Sequence, residues 1–229
     1  MIESNGSNKI ITTEDGSHSI FNESLNETYH SLHGAIQESN YVFIQSGLDH
    51  LREKGKTSIK VFEVGFGTGL NVLLSAIWAQ EKEIRLEFDS IEAYPISDEL
   101  VEKLNYPELL SNQHAKEYFR TLHVMDWEQK QHVNSWFDLT KIQSRIKDYP
   151  VEKGVYDIIY YDAFAPSKQP EMWELNKLDS VIQGLSEDGV FVTYCAQGQL
   201  KRNLKSLGLV VETLPGPPGK KEMVRARKL

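Results

Sequence analysis

The stretch Ile59-Lys60-Val61-Phe62-Glu63-Val64-Gly65-Phe66-Gly67-Thr68-Gly69-Leu70-Asn71 decides the fold. An apolar run ends at Gly65, glycines recur at every second position through Gly69, and a helical pattern follows over residues 70–80. Strand, glycine turn and helix in that order are the first βα unit of an open α/β sheet. Glycine is needed where the backbone turns sharply and a ligand comes close, because no Cβ stands in the way. The dinucleotide fingerprint G-x-G-x-x-G seats a pyrophosphate on the helix N-terminus. Here the spacing is E-x-G-x-G-x-G. A carboxylate just before the turn suits a cationic amino-acid ligand better than a pyrophosphate.

The next strands narrow the ligand. The second, over residues 86–93, ends at Glu92, 23 residues after Gly69. That is close to the spacing, about 20 residues, at which an acidic side chain accepts the two ribose hydroxyls of a nucleoside. An ammonium, a carboxylate, a sulfonium and a nucleoside together describe S-adenosylmethionine. The cofactor-binding candidates are therefore Glu63, Gly65, Phe66, Gly67, Gly69, Asn71 and Glu92. Two segments qualify for the third strand, residues 120–125 and 137–142. Placing it at 137–142, followed by a short helix over 144–149, puts Gln143 and Ser144 near the adenine. The other placement puts Asp126 there.

The fourth strand, Tyr156-Asp157-Ile158-Ile159-Tyr160-Tyr161, runs into Asp162-Ala163-Phe164-Ala165-Pro166. Strand ends in such sheets face the ligand crevice, so Asp162 falls beside the glycine turn and joins the cofactor-binding candidates. A helix to residue 185, a turn at 186–189, a fifth strand over 190–196, a helix over 201–207 and a final strand pair at 209–213 and 222–226 complete the pattern. These elements predict an α/β, Rossmann-like domain over 59–229. Its sheet would be seven-stranded and mostly parallel, with an antiparallel last strand. Before it, residues 1–8 are polar and read as unstructured. Asp15-Gly16 marks a hairpin between two β-prone runs, and a helix is expected over 39–55. Residues 1–58 thus form an N-terminal extension of hairpin plus helix, packed over the ligand site. Residues 97–119 read as helical with a break at Pro107.

Composition sets the boundaries. The chain has 229 residues and a net charge of −8, which argues against bulk nucleic-acid affinity. Residues 201–229, however, hold eight Lys and Arg against two acidic residues, a candidate phosphate-binding face. No 18-residue apolar run and no signal-peptide pattern stand in the sequence, so no membrane contact and a cytoplasmic location are expected. The single cysteine, Cys195, lies in an apolar strand and reads as packing. The histidines show no metal-ligand spacing, so no metal is expected.

The sequence resembles the methyltransferase domain of the MnmC family of tRNA-modifying enzymes. The resemblance rests on Tyr29-His30-Ser31, Glu38 with Tyr41-Val42-Phe43-Ile44, the glycine turn through Asn71, Asp162-Ala-Phe-Ala-Pro-Ser-Lys-Gln-Pro-Glu-Met-Trp173, and Gly219-Lys-Lys-Glu-Met223. It implies the class I S-adenosylmethionine-dependent methyltransferase fold. It implies N-methylation of 5-aminomethyl-2-thiouridine at tRNA wobble position 34, with tRNA as partner. It adds Tyr29 and Ser31 to the cofactor site. The family pattern has Asn where Gln169 stands and Lys-Arg where Lys220-Lys221 stand, and Gln143-Ser144 occupy the place of an acidic residue after the third strand. Many members carry an FAD-dependent oxidoreductase domain. None follows here, so a stand-alone monomer supplied by a separate enzyme is expected, without FAD.

A primary amine must be neutral to attack a methyl group, because an ammonium has no lone pair. Asp162 is the candidate base and amine-positioning residue. Phe164 is placed to stack on the uracil ring, and backbone carbonyls over 163–165 to fix the amine. Phe164, Pro166, Lys168, Lys201, Arg202, Lys220 and Lys221 are the substrate-binding candidates, the cations for backbone phosphates. An aminopropyltransferase on the same fold, a small-molecule amine methyltransferase and a non-enzymatic RNA-binding protein are the alternatives.

Overall fold

Thr13 and Ser17 close the first turn of the chain, with Ser17 donating its backbone N–H to Asp15 Oδ1 at 3.0 Å. In the computed structural model, which describes residues 8–229, this turn joins β1 (Asn8–Thr12) to β2 (His18–Asn22) as the Asp-Gly signal predicts. A short β3 (Glu27–Thr28) adds to the hairpin. The reading of residues 1–8 as unstructured lies outside the described residues up to residue 7, and Asn8 already belongs to β1.

The expected helix over 39–55 begins earlier and is wound differently. It runs as α1 (Ala35–Ser39), a ten-residue π-helix (Asn40–Asp49) and α2 (His50–Glu53). Val42, Phe43, Ile44 and Leu48 are buried against the sheet. A π-helix of this length is rare, and such windings cluster at functional sites.

β4 (Ser58–Val64) leads through the glycine turn into α3 (Leu70–Lys82). The strand is buried from Val61 onward on both faces, as a central parallel strand must be. β5 (Arg85–Glu92), α4 (Asp98–Val101), α5 (Tyr106–Leu109) and α6 (Ala115–Val124) follow. The helical reading of 97–119 thus resolves into short pieces. Residues 120–125, one of two candidates for the third strand, lie largely in α6. That helix buries Ala115, Tyr118, Phe119 and Leu122, a helical spacing that β-prone composition disguised.

The third sheet strand is β7 (Phe137–Gln143), paired in parallel with β5. It is preceded by β6 (Lys130–Asn134), which joins it antiparallel at the sheet edge. Residues 144–149 form turns rather than the expected short helix. β8 (Tyr156–Tyr161) matches its expected bounds. A 3-10 turn (Pro170–Trp173) and α7 (Leu175–Ile182) lead to β9 (Leu185–Thr193). β9 absorbs the turn expected at 186–189 as an irregularity, with Asp188 at φ 60° and a register shift against β8. α8 (Gly198–Ser206), β10 (Leu209–Pro215) and β11 (Glu222–Lys228) close the chain.

The sheet has eight strands, one more than the sequence predicts, in the order β10-β11-β9-β8-β4-β5-β7-β6. The extra strand is β6. Its five residues are polar at most positions and carry little strand signal. β4, β5, β7, β8 and β9 are mutually parallel, and β11 runs antiparallel to β9 as expected. Apolar side chains fill both faces. One layer packs under the π-helix, α3 and α6, the other under α7 and α8. Strand order reverses beside β4, and the C-terminal ends of β4, β5 and β8 open there into one crevice.

Candidate functional site

A cavity of about 1360 Å³ sits at that crevice. Its floor is the glycine turn. Gly65 adopts φ +99°, and a Cβ added there would lie 2.9 Å from the Asp162 carbonyl oxygen. Only glycine allows the β4 and β8 ends to come this close. The Asp162 backbone N–H donates to Val64 O at 3.0 Å, and the Gly65 N–H to Ile91 O at 2.9 Å, so the three strand ends are tied together.

Glu92 holds the far side of the turn. Its Oε2 accepts the Gly67 N–H at 3.0 Å and its Oε1 the Tyr94 N–H at 2.9 Å. Each carboxylate oxygen keeps a further lone pair for a hydroxyl. Glu63 is fully buried, with Ser90 Oγ donating to Oε2 at 2.5 Å. Its Oε1 has no partner, nor has the buried Asn71 Oδ1. Burial, above all, pushes the Glu63 carboxyl well above its usual range. The glycine cradle, the acceptor pair at Glu92, and apolar walls from Phe66, Leu70, Ile91 and Ile146 fit a ligand that carries a nucleoside, while the two buried acceptors, Glu63 Oε1 and Asn71 Oδ1, belong to side chains that act on each other beneath the turn.

The acceptor side is built on the end of β8. Asn71 Nδ2 donates to Asp162 Oδ2 at 2.9 Å, and among the described residues no donor engages Oδ1. Burial raises the Asp162 carboxyl to about 7. The Glu38 carboxylate adds to the rise, while the Asn71 hydrogen bond and Lys220 oppose it. Phe164 is half-buried on the cavity wall and meets the Tyr29 ring edge-on at 5.0 Å. The carbonyls of 163–165, expected to receive the amine, are already engaged. Tyr194 Oη donates to Ala163 O at 2.8 Å, Trp173 Nε1 to Phe164 O at 2.8 Å, and the Lys168 N–H to Ala165 O at 2.7 Å. Each of these carbonyls thus has at least one lone pair taken, while Asp162 Oδ1 has both free for an incoming N–H.

Residues that precede β4 cover one side of the cavity, a lid in position. Tyr29, His30 and Ser31 line the cavity. Thr68 Oγ1 lies 2.8 Å from His30 Nε2 and accepts from Tyr106 Oη at 3.2 Å, which ties the His30 imidazole to the glycine turn. Burial, reinforced by Lys220, lowers that imidazole to about 4. Lys168 Nζ donates to Asn26 O at 2.8 Å, pinning the Phe164 loop to the lid.

Of the predicted site residues, the cavity wall gathers Tyr29, Ser31, Gly65, Phe66, Gly67, Asn71, Glu92, Ser144, Asp162, Phe164, Lys168 and Lys220. Glu63 lies beneath the turn, and Gly69 caps α3 in a left-handed conformation. Gln143 is exposed and outside the cavity, as is Asp126. Pro166, Lys201, Arg202 and Lys221 are also off the wall. Lys201 pairs with Glu222 at 2.7 Å, and Arg202 donates to Gln199 Oε1 at 2.8 Å. Lys220, expected on a phosphate face, is turned inward onto Glu38. Sequence reading gave no role to Glu38 and Tyr194, nor to Lys103, Arg145, Lys147 and Lys177 on the cavity wall. Nothing in local spacing marks them, because loops distant in sequence bring them together. Among the described residues no cluster of His, Cys, Asp and Glu is arranged to hold a metal, and no helix is long and apolar enough to cross a membrane.

Comparison with known proteins agrees with this geometry. The bifunctional protein MnmC of Vibrio campbellii, named for tRNA 5-methylaminomethyl-2-thiouridine biosynthesis, is 30% identical over 224 residues, covering 88% of this chain and 33% of that protein. Its namesake in Pseudoalteromonas atlantica is 28% identical over 226 residues, covering 87% and 31%. The chain therefore spans about a third of the length of these relatives. The crystal structure of MnmC2 from Aquifex aeolicus superposes with a TM-score of 0.78 at 26% identity, over 96% of this chain and 70% of that one. A family model described as S-adenosyl-L-methionine-dependent methyltransferase matches residues 108–229, more than half of the sequence. With its crevice at the strand ends and this match, the chain belongs to that family of S-adenosyl-L-methionine-dependent methyltransferases.

Proposed function

We propose that the chain methylates the exocyclic amine of 5-aminomethyl-2-thiouridine at the wobble position of tRNA, position 34, giving the 5-methylaminomethyl form. The observation that carries this is the open Asp162 carboxylate, fixed by Asn71, beside the Phe164 ring at the mouth of the cofactor crevice. The names of the MnmC relatives point to the same modification. Tyr29, Ser31, Glu63, Gly65, Phe66, Gly67, Asn71, Glu92 and Ser144 hold the cofactor, which supplies an electrophilic methyl carbon when bound. Gly69 supports them by starting α3.

The chain's own work is orientation and proton handling. The Asp162 carboxylate accepts an N–H of the amine and takes the proton that must leave before the nitrogen lone pair is free. Phe164 offers its face to the uracil, which is cheap to splay from a single-stranded loop. Tyr194 and Trp173 hold the carbonyls of that loop and so fix where the ring and the carboxylate stand. Lys168 at the rim, with exposed Arg202 and Lys221, meets backbone phosphates. Residues 1–58 act as the lid and 59–229 as the catalytic domain. The protein works as a cytoplasmic monomer, and a separate enzyme supplies the aminomethyl nucleoside.

The deciding experiment is mass spectrometry of wobble-uridine nucleosides after incubating the protein and cofactor with tRNA that carries the aminomethyl group. A mass gain of one methylene on that nucleoside is expected. Transfer to polyamines but not to tRNA would replace this reading by the small-amine alternative.

A further inference from the structure

Lys220 lies in the turn between β10 and β11, yet its Nζ reaches both carboxylate oxygens of Glu38, at 2.9 and 2.8 Å, across 182 residues. Glu38 sits in α1 and its side chain is only 8% exposed. The same ammonium stands 4.2 Å from the centre of the Tyr194 ring, and the Tyr194 hydroxyl holds Ala163 O. All three side chains line the cavity with Asp162. The turn is built to deliver Lys220 here. Gly219 adopts φ +81°, and a Cβ on it would fall 1.8 Å from the His33 ring, so the turn lies flat on the lid.

A cation so held is spent on the interior. Three features argue against a phosphate contact: a bidentate carboxylate partner, an aromatic face, and a place on the wall beside Asp162. We propose that Lys220 is a positioning residue for methyl transfer, clamped by Glu38 over Tyr194 so that the balance of these two opposite charges sets the pH at which Asp162 accepts the amine proton. This deepens the amine-methylation reading and rests on it for the role of Asp162. Asn71 from α3 bonds Asp162, Glu38 from α1, Tyr194 from the end of β9 and Lys220 from the β10–β11 turn share the cavity wall with it, and Glu63 from β4 is the further charge close enough to interact with it. Lys220 is the cation of that set. Its loss disfavours the carboxylate, and loss of Glu38 favours it.

The test follows the Asp162 carboxyl by carbon NMR in protein labelled at aspartate, with Asp162→Asn assigning its signal. The pH profile of kcat for methyl transfer is recorded beside it. Lys220→Met is expected to move the titration and the acid limb upward by about one pH unit. Lys220→Arg restores both, and Glu38→Gln moves both downward. Should Lys220→Met fail to fold, because Glu38 is left as a buried unpaired charge, Glu38→Gln carries the test alone, since its amide oxygen still accepts from Lys220. A titration unmoved in folded Glu38→Gln and Lys220→Met overturns the proposal. So does a Lys220→Met variant that raises KM for tRNA and lowers its salt dependence while the pH profile stays put, the signature of a phosphate contact. If no tRNA is methylated by wild-type protein, the function proposed above fails, while the NMR titration still decides the charge clamp.

Discussion

Asn71 and Asp162, 91 residues apart in the chain, meet through one hydrogen bond of 2.9 Å that joins the first residues of α3 to the end of β8. The amide has one fixed task at Asp162 Oδ2, and its own Oδ1 is buried without a partner. The glycine-turn wall and the β8 wall of the crevice therefore share a side chain, and a change on one side is felt on the other.

Removing the acid tests its role most directly. Asp162→Asn keeps the shape and the Asn71 contact but has no proton-accepting carboxylate. We expect kcat to fall by about 10²- to 10⁴-fold, the range of a lost general base. Cofactor affinity, measured by calorimetry, should change little. Activity within tenfold of wild type would remove Asp162 from the mechanism.

The same carboxyl links stability to pH. Its pKa in the fold, about 7, lies above the ordinary 3.8. The folded state then holds the proton more tightly than the unfolded chain. The stabilisation is fully present below the unfolded pKa and is lost as pH rises through about 7. Ligand-free protein should melt lower at pH 8 than at pH 5.5, and Asp162→Asn should flatten part of that slope. At about 2–4 °C per kcal/mol for a chain of this size, a difference of several degrees is expected in calorimetry. An unchanged slope in the variant would contradict it.

Tyr194→Phe deletes the hydroxyl that holds Ala163 O and keeps the ring beneath Lys220. Loss of one such hydrogen bond costs about 1 kcal/mol. We expect kcat to fall by roughly fivefold to tenfold, with a melting temperature within about 4 °C of wild type. A rise in KM for tRNA with kcat unchanged would assign Tyr194 to binding instead.

Gly65→Ala places a methyl group against the Asp162 carbonyl at a backbone angle that alanine resists. A cost of about 1–3 kcal/mol is expected from the strain alone. The variant should fold with a lowered melting temperature and bind cofactor at least tenfold more weakly. Wild-type affinity would mean that the turn has room the geometry denies.

Much of this was legible in the sequence where a residue's local pattern and its tertiary role coincide. β4 and β8 read clearly, because strands buried on both faces are continuous apolar runs. The Gly65-to-Asn71 turn did too, because close approach demands glycine. α6 did not. Its Thr121-Leu122-His123-Val124 core is β-prone, and the buried spacing of Tyr118, Phe119 and Leu122 decides the winding only once α3 is there to receive it. β6 was hidden because a polar edge strand has one neighbour and little to bury. The Glu38–Lys220 pair was beyond reach for a different reason. A charge in a polar stretch looks solvated until the fold shows what stands opposite.

The sheet order has a consequence for how the chain is assembled. β11 lies between β9 and β10, so residues 222–228 fill a gap between strands that precede them. β10 pairs with β11 alone, so it has no neighbour in the sheet without residues 222–228, and Glu38 has no Lys220 to receive without the turn that precedes them. That edge of the sheet is therefore completed by insertion and not by extension. A chain truncated before residue 220 would keep every residue of the glycine turn and lose the Lys220 contact to Glu38.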